Sequence, residues 1–408
     1  MRLAVVICLL GGSVHADERM TFSQAVATAI SRNPNVAVAR SYVLTADGQR
    51  RQIRAAALPT LFGNATYTHL DNNRLVNGNV ASAENQINLN FTLTAPLLAT
   101  RAWGQWRRAS DTVDVTRAGV KASERDAAVA AGRAYLAVIN ARRLLEVAII
   151  AKDTAEQHLT FADKRFSGGV GTRLDVVRSA EEVETTATLV ATSEVTVTRA
   201  RESLGVTLGV NGAVDAVDEP LFPAVPDGEG HDRADVIAAK RALWAAERGG
   251  KDLWRDFLPT LTAIFQPFYQ NPPTLTVPLL GWQGQIALVL PIYDGGLRYG
   301  QQAERDAAIV ANKARFEAAA RQAQSELRAG RAAVKGAEVA KVKAKRAASL
   351  AHEAADLAKL AYQAGAATNL ELIDADRRAR DADTAAAQAE DTLRQAQLEA
   401  LAAAGMFP

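Results

Sequence analysis

The chain of 408 residues has one cysteine, 6% aromatic residues and a net charge of only +2. A lone cysteine, Cys8, gives no disulfide framework to hold a fold. Charge near zero, with no basic cluster interleaved with aromatics, argues against nucleic acid as a partner. No stretch approaches 18 consecutive apolar residues, so no transmembrane helix is expected. Proline is missing over long distances: residues 97–219 hold none, and neither do residues 292–407. Because proline lacks the N–H and clashes with the preceding turn, it is kept out of helix interiors. Two such tracts therefore predict very long helices. Alanine, the best helix former, agrees, contributing 34 of residues 301–400.

Catalytic and cofactor signals are also missing. The histidines (His15, His69, His158, His231 and His352) are scattered, and no two stand at metal-ligand spacing. Gly168-Gly169-Val170-Gly171 lacks the Gly-Lys-Ser/Thr that completes a phosphate loop. No Ser/His/Asp or Cys/His set assembles. The chain reads as a non-enzyme without cofactor or metal.

What is present is a duplication. Leu58-Pro59-Thr60-Leu61 returns as Leu258-Pro259-Thr260-Leu261, and Pro96 has its counterpart in Pro291. The stretch from Arg165 to Asp175 returns from Ala361 to Glu371, 196 residues later, and Gly209 and Gly405 close the two copies at that offset. Such a repeat is far longer than a solenoid unit of roughly 20–50 residues.

The N-terminal run Leu3–Leu10, after Arg2 and before Val14-His15-Ala16, reads as a signal peptide over residues 1–16. Residues 17–209 form the first structural repeat, 210–232 a linker and 233–408 the second. Thr21-Phe22-Ser23-Gln24 has the form of a capping box, and Pro34 suits the first position of a second helix running to about Ala57. Ile87, Leu89, Phe91, Leu93 and Ala95 alternate with Asn88, Asn90, Thr92 and Thr94, a strand with one apolar and one polar face. Its partner is about Thr60–His69, across a polar loop at 70–85. The second hairpin spans about 260–292. Long helical hairpins follow at about 101–209 and 297–405, each first helix of some 66 residues spanning roughly 100 Å. In the return helix, Val176, Ala180, Val183, Ala187, Val190, Val197, Leu204 and Leu208 have coiled-coil spacing.

An exported chain with amphipathic hairpins and no transmembrane helix crosses a bilayer only as a closed β-barrel. Tyr67, Phe268, Tyr269 and Trp282 stand where interfacial aromatics would lie. Four strands cannot close, so the barrel must be shared, and physics allows two, three or four chains. The alternative is a soluble periplasmic coiled-coil adaptor or scaffold with a small sheet.

The order of elements, the Asn33-Pro34 opening, the two Leu-Pro-Thr-Leu segments, Pro291-Ile292-Tyr293-Asp294-Gly295-Gly296 and the two Phe/Tyr-x-x-Gly-x-x-Thr turns resemble the TolC-type outer membrane efflux family. The resemblance covers residues 21–407. It implies a mainly α fold in which duplicated long helices form an α-barrel. With it goes a homotrimer sharing a 12-stranded β-barrel, four strands per chain, in the outer membrane lipid of a Gram-negative bacterium. It further implies a passive exit duct for efflux or type I secretion, docked to an inner-membrane pump through a periplasmic adaptor. The turn residues Gly168, Gly169, Val170, Gly171, Thr172, Gly365, Ala366 and Thr368 then become adaptor contacts. Glu371 and Asp374, neighbours on one helix face, become the periplasmic gate, with Asp175 and Arg178 in the corresponding places of the first copy. The first copy departs by lacking Asp-Gly-Gly after Pro96, and the second by having Ala361 where the first has Arg165.

Overall fold

The computed structural model describes residues 18–225, 233–274 and 276–407. The expected signal segment, residues 1–16, and the linker residues 226–232 lie outside the described residues.

The elements follow in the order β1 (Glu18–Met20), α1 (Phe22–Arg32), α2 (Pro34–Ala55), β2 (Thr60–His69), β3 (Arg74–Val76), β4 (Asn79–Ser82), β5 (Asn85–Leu98), α3 (Thr100–Ser167) and α4 (Arg173–Leu208). Then come β6 (Val214–Ala216), α5 (Ala234–Lys251), a short 3-10 helix (Leu253–Phe257), β7 (Thr260–Asn271), β8 (Leu280–Val289), α6 (Leu297–Gln363) and α7 (Asn369–Ala403). The long helices α3 and α6 run unbroken for 68 and 67 residues. At 1.5 Å per residue each is about 100 Å long. No described helix is long and apolar enough to cross a membrane.

Local signals explain the boundaries. Thr21 caps α1 in a reciprocal capping box with Gln24. Asn33 ends α1 and its carboxamide accepts the Asn35 N–H at 2.9 Å, while its own amide donates to the Thr207 carbonyl at 2.9 Å. Pro34 opens α2, where its missing N–H has no intrahelical partner to lose. Gly209 ends α4 with φ +70°, and a Cβ there would lie 2.6 Å from the Arg32 carbonyl oxygen.

The described residues fall into two compact units, each drawing on both copies: residues 18–39, 120–225, 233–236 and 319–407 in one, and 40–119, 237–274 and 276–318 in the other. In the first unit, Tyr135, Leu136, Leu204, Leu208 and Leu398 are fully buried, with Ala25 and Ala29 of α1. Phe22 meets the rings of Tyr135 and Phe222 edge-on, both at 5.4 Å. The Tyr135 hydroxyl donates to the Asp218 carboxylate and accepts the Val217 and Asp218 N–H groups. Residues 210–225 are therefore not a plain linker. They carry β6, which pairs in parallel with β1, and they supply Asp218, whose carboxylate also accepts the Phe22 N–H at 2.8 Å. Strands of three residues give too little alternation to be legible.

In the second unit β2, β5, β7 and β8 form one antiparallel sheet in that order. The expected loop at 70–85 holds a small ribbon instead, β3 against β4, turned by Asn77 and Gly78 at φ +51° and +78°. The helical segments next to the sheet are tied by ion pairs: Asp256 takes Arg108 at 3.3 Å and Arg305 at 2.7 Å, and Asp111 takes Arg248 at 2.8 Å. Burial pushes the Asp111 carboxyl above its usual range.

The departure after Pro96 has a structural cause. β5 bulges between Pro96 and Leu98 and leads into α3 two residues later. After β8 the chain needs a turn, made by Gly295 and Gly296 at φ +66° and +91°, with Asp294 accepting the Gly296 N–H at 3.1 Å.

Candidate functional site

The register assigns every strand residue to a face. Leu61, Ala65 and Tyr67 of β2 share a face with Leu93, Leu89 and Ile87 opposite them on β5. Phe265 and Tyr269 of β7 and Leu280, Ile286 and Leu288 of β8 continue it. The other face carries Asn64, Thr66, Asn88, Asn90, Thr92, Gln266, Gln283 and Gln285. None of the four strands contains Asp, Glu, Lys or Arg.

The apolar face is uncovered: Phe91 is 56% exposed, Leu280 69%, Trp282 71% and Ile286 70%. On the central strand β5 the polar residues Asn88, Asn90 and Thr92 are partly covered, while on the edge strands Asn64, Thr66, Gln283 and Gln285 are exposed as well. A half-buried sheet in a water-soluble domain covers its apolar face. An exposed apolar surface of this extent marks a face made for lipid or a partner. Of the expected interfacial aromatics, Tyr67, Tyr269 and Trp282 lie on this face. Phe268 does not: it is next to Tyr269 in the strand, so it points to the polar face, where its ring covers Gly281. Strands β2 and β8 each pair on one side only among the described residues. Their free edges carry no charge to discourage addition of another strand.

The two helical hairpins close in turns of the same build. Gly169 and Gly365 both have φ +76°, and both lie in open space. Gly169 N–H donates to the Phe166 carbonyl and Gly365 N–H to that of Tyr362. Val170 and Gly171 donate to the Arg165 carbonyl, as Ala366 and Ala367 do to that of Ala361. Gly168 completes the first reversal, its N–H on the Lys164 carbonyl. Gly171 is fixed by space, since a Cβ there would meet the Phe166 nitrogen at 2.9 Å. Thr172 and Thr368 then cap α4 and α7. Around them Val170, Leu174 and Leu370 are more than half exposed, an apolar surface beside backbone that a partner can approach closely.

The turns are braced against each other. Arg165 donates to the Tyr362 carbonyl at 2.9 Å, and its guanidinium lies 4.6 Å from the centre of the Tyr362 ring. Phe161 meets the same ring edge-on at 5.7 Å. Burial pushes the Tyr362 hydroxyl above its usual range. The departure at Ala361 is therefore a division of labour, since the arginine of the first turn serves both.

The predicted gate residues do two different things. Glu371 and Asp175 are the third residues of α7 and α4 and complete their capping boxes. The Glu371 carboxylate accepts the Thr368 N–H at 2.8 Å and that of Asp175 accepts the Thr172 hydroxyl at 2.8 Å. Each carboxylate also faces the positive end of its helix. Asp374 pairs with Arg378 one turn on at 2.9 Å, and both are well exposed. Arg178 is half-buried on α4.

Sequence reasoning missed the contacts that hold α4 to α7. The buried stripe of α4 runs through Ser179, Glu182 and Thr186, and not through Ala180, Val183, Ala187 and Val190, which are only partly buried. Val176, Val197, Leu204 and Leu208 are buried as their spacing predicts. Glu182 receives Arg377 at 2.6 Å and Arg380 at 3.3 Å from α7. Asn369, itself buried, donates to the Asp175 carbonyl at 3.1 Å and the Ser179 hydroxyl at 3.3 Å. Thr186 satisfies its hydroxyl on its own helix, at the Glu182 carbonyl. Apolar periodicity passes over a seam built on polar groups.

Residues 25–210 match the model of the outer membrane efflux protein family. The fusaric acid resistance protein FusA of Burkholderia cepacia is 27% identical over 314 residues, which are 70% of this chain and 57% of FusA. The chain thus spans a little over half the length of that relative. A membrane protein from Pseudomonas aeruginosa superposes with a TM-score of 0.82 at 20% identity, over 94% of this chain and 90% of that one. CusC, a protein whose crystal structures concern transmembrane channel formation, gives 0.82 at 17% identity, over 94% and 92%. These likenesses establish the fold: long helices with a few strands, in the arrangement of those two proteins.

Proposed function

We propose that the chain belongs to the outer membrane efflux protein family, whose model matches residues 25–210, and that it is a passive exit duct through which an export system releases its cargo. It resides in the outer membrane, with the long helices in the periplasm, and does no chemistry on what passes. The observation that carries this reading is the uncharged sheet with its apolar face exposed and two edges unpaired. An open sheet in lipid would leave backbone groups unsatisfied at several kcal/mol each. Copies of the chain joined edge to edge, β2 of one beside β8 of the next, remove that cost. Three copies give the 12 strands of a closed barrel, within the range of known outer membrane barrels.

The turns at Gly168–Thr172 and Gly365–Thr368 are the docking points for a periplasmic adaptor, through which the duct meets an inner-membrane pump. Their support is the pairing of open glycine backbone with exposed Val170, Leu174 and Leu370. Glu371, Asp374, Asp175 and Arg178 form the periplasmic gate. Two exposed carboxylates on α7, repeated by three-fold symmetry, make a ring that favours cations.

The test is electrical. The purified protein, reconstituted into a planar bilayer, is expected to give unitary ohmic currents without any energy source. A protein that leaves the bilayer resistance unchanged would contradict the duct. Export of fusaric acid by cells expressing the chain is the first cargo assay, prompted by the likeness to FusA.

A further inference from the structure

The two ends of the four-stranded sheet differ in charge and in aromatic content. At one end β2 and β7 begin and β5 and β8 finish, and α3 leaves two residues after Leu98. The ten residues flanking each of these strand ends (50–59, 99–108, 250–259 and 290–299) hold eight arginines and one lysine against three aspartates. Six aromatic residues stand among them. The loops at the opposite end, 70–84 and 272–279, hold Arg74 against Asp71 and Glu84, and no aromatic residue. The whole chain carries only +2, so the helix-bearing end of the sheet is set apart by its cations.

Cations and rings are interleaved there. The Arg54 guanidinium lies 5.3 Å from the centre of the Trp106 ring, Arg255 5.6 Å from Trp254 and Arg298 5.3 Å from Phe257. Trp254, Phe257, Arg298 and Tyr299 border one cleft together with Lys251. Trp254, Tyr293 and Tyr299 are more than half exposed, as are Leu290 and Ile292 just past β8. The aspartates neutralise part of the charge: Asp256 holds Arg108, and Asp294 holds Arg298. Arg54, Arg101 and Lys251 are exposed and have no carboxylate partner among the described residues.

We propose that this belt binds the headgroups of anionic phospholipids, in the leaflet on the side from which the long helices leave. A ring with an apolar body and a polar edge settles where hydrocarbon meets water. A guanidinium or ammonium at that depth meets lipid phosphate, which it bonds while its stem stays in apolar surroundings. The belt continues the uncovered apolar face of the sheet, so strands and belt enter one bilayer together. Arg54, Arg101 and Lys251 have charge to give to lipid without breaking an ion pair. The inference rests on the reading of the sheet as membrane-embedded, since headgroups reach the belt only when the strands lie in hydrocarbon.

Tryptophan quenching by brominated lipid tests it, because all five tryptophans (Trp103, Trp106, Trp244, Trp254 and Trp282) lie in this unit and only Trp282 is on a strand. The full-length protein and W282F are reconstituted into phosphatidylcholine vesicles containing brominated phosphatidylglycerol or brominated phosphatidylcholine. In W282F the phosphatidylglycerol is expected to quench at about three- to tenfold lower mole fraction, the range a few exposed cations give at an anionic surface. R54Q/R101Q/K251Q in that background is expected to bring the ratio near one, and about 0.5 M salt to shrink it without any substitution. Equal quenching by the two lipids in W282F, or a ratio undiminished in the triple variant, overturns the belt. The quenching lost between the parent and W282F reports Trp282 on the sheet. If that part is present with both lipids while the ratio is one, the sheet stays in the membrane and only the headgroup site falls. If no tryptophan is quenched, the membrane reading itself fails, and the belt with it.

Discussion

Arg165 and Tyr362, 197 positions apart in the chain, join the two hairpin turns: the guanidinium donates to the tyrosine carbonyl at 2.9 Å and stacks on its ring at 4.6 Å. A hydrogen bond and a cation–π contact on one side chain are together worth on the order of 1–2 kcal/mol. R165A is expected to leave trimers intact but raise proteolytic nicking at Gly168–Thr172 and Gly365–Thr368 roughly tenfold. R165K, without the planar fork, is expected to restore little of the protection. Limited proteolysis of the purified protein checks both.

Gly365 has φ +76° and no neighbour within 4 Å of a Cβ. A bulky residue there strains the turn by about 1 kcal/mol, too little to unfold the hairpin, yet it covers the backbone of the proposed docking surface. G365L is expected to abolish export while the protein remains trimeric in the membrane. Unchanged export would remove Gly365 from the adaptor contact.

Neutralising Glu371 and Asp374 separates the proposed gating role from folding. Glutamine at 371 still accepts the Thr368 N–H, so the capping box survives in E371Q. The double variant E371Q/D374N is expected to keep wild-type melting behaviour, with a severalfold lower preference for cations and weaker block by divalent ions in single-channel recordings. Unaltered conductance would show that the pair is a helix cap and a surface ion pair only.

Asp391 gives α7 a pH dependence. Burial pushes its carboxyl up to about 6, against the pull of Arg394 and Arg143. A carboxyl that holds its proton more tightly folded than unfolded favours the folded state in acid, and that contribution is lost as the pH climbs from about 4 through 6. D391N is expected to remove this loss, so that its melting temperature exceeds that of the parent at pH 7.5 and matches it at pH 4. Thermal melts at the two values decide it.

Legibility differed from one element to the next for physical reasons. β2 was readable to the residue because Leu58-Pro59 ends a helix and alternation begins at once. The long helices were readable from proline's absence over tracts rich in alanine, and their ends from the glycines of the two turns. Both turns were marked by glycine followed three residues later by a capping threonine. The β1–β6 pair escaped because parallel pairing between three-residue strands leaves no pattern. The seam of Ser179, Glu182 and Thr186 escaped because its burial is made tolerable by Asn369, Arg377 and Arg380, partners some 190 residues away. That nothing in the chain covers the apolar side of the sheet was visible only in the structure, among the described residues.

Four uncharged strands per chain can close a barrel only when several chains share it. The direct measurement is the mass of the particle extracted from the membrane fraction in mild detergent, corrected for bound detergent. The account predicts three chains per particle and no protein released without detergent. A single chain recovered from the soluble periplasm would contradict it and leave a soluble coiled-coil protein with an exposed sheet.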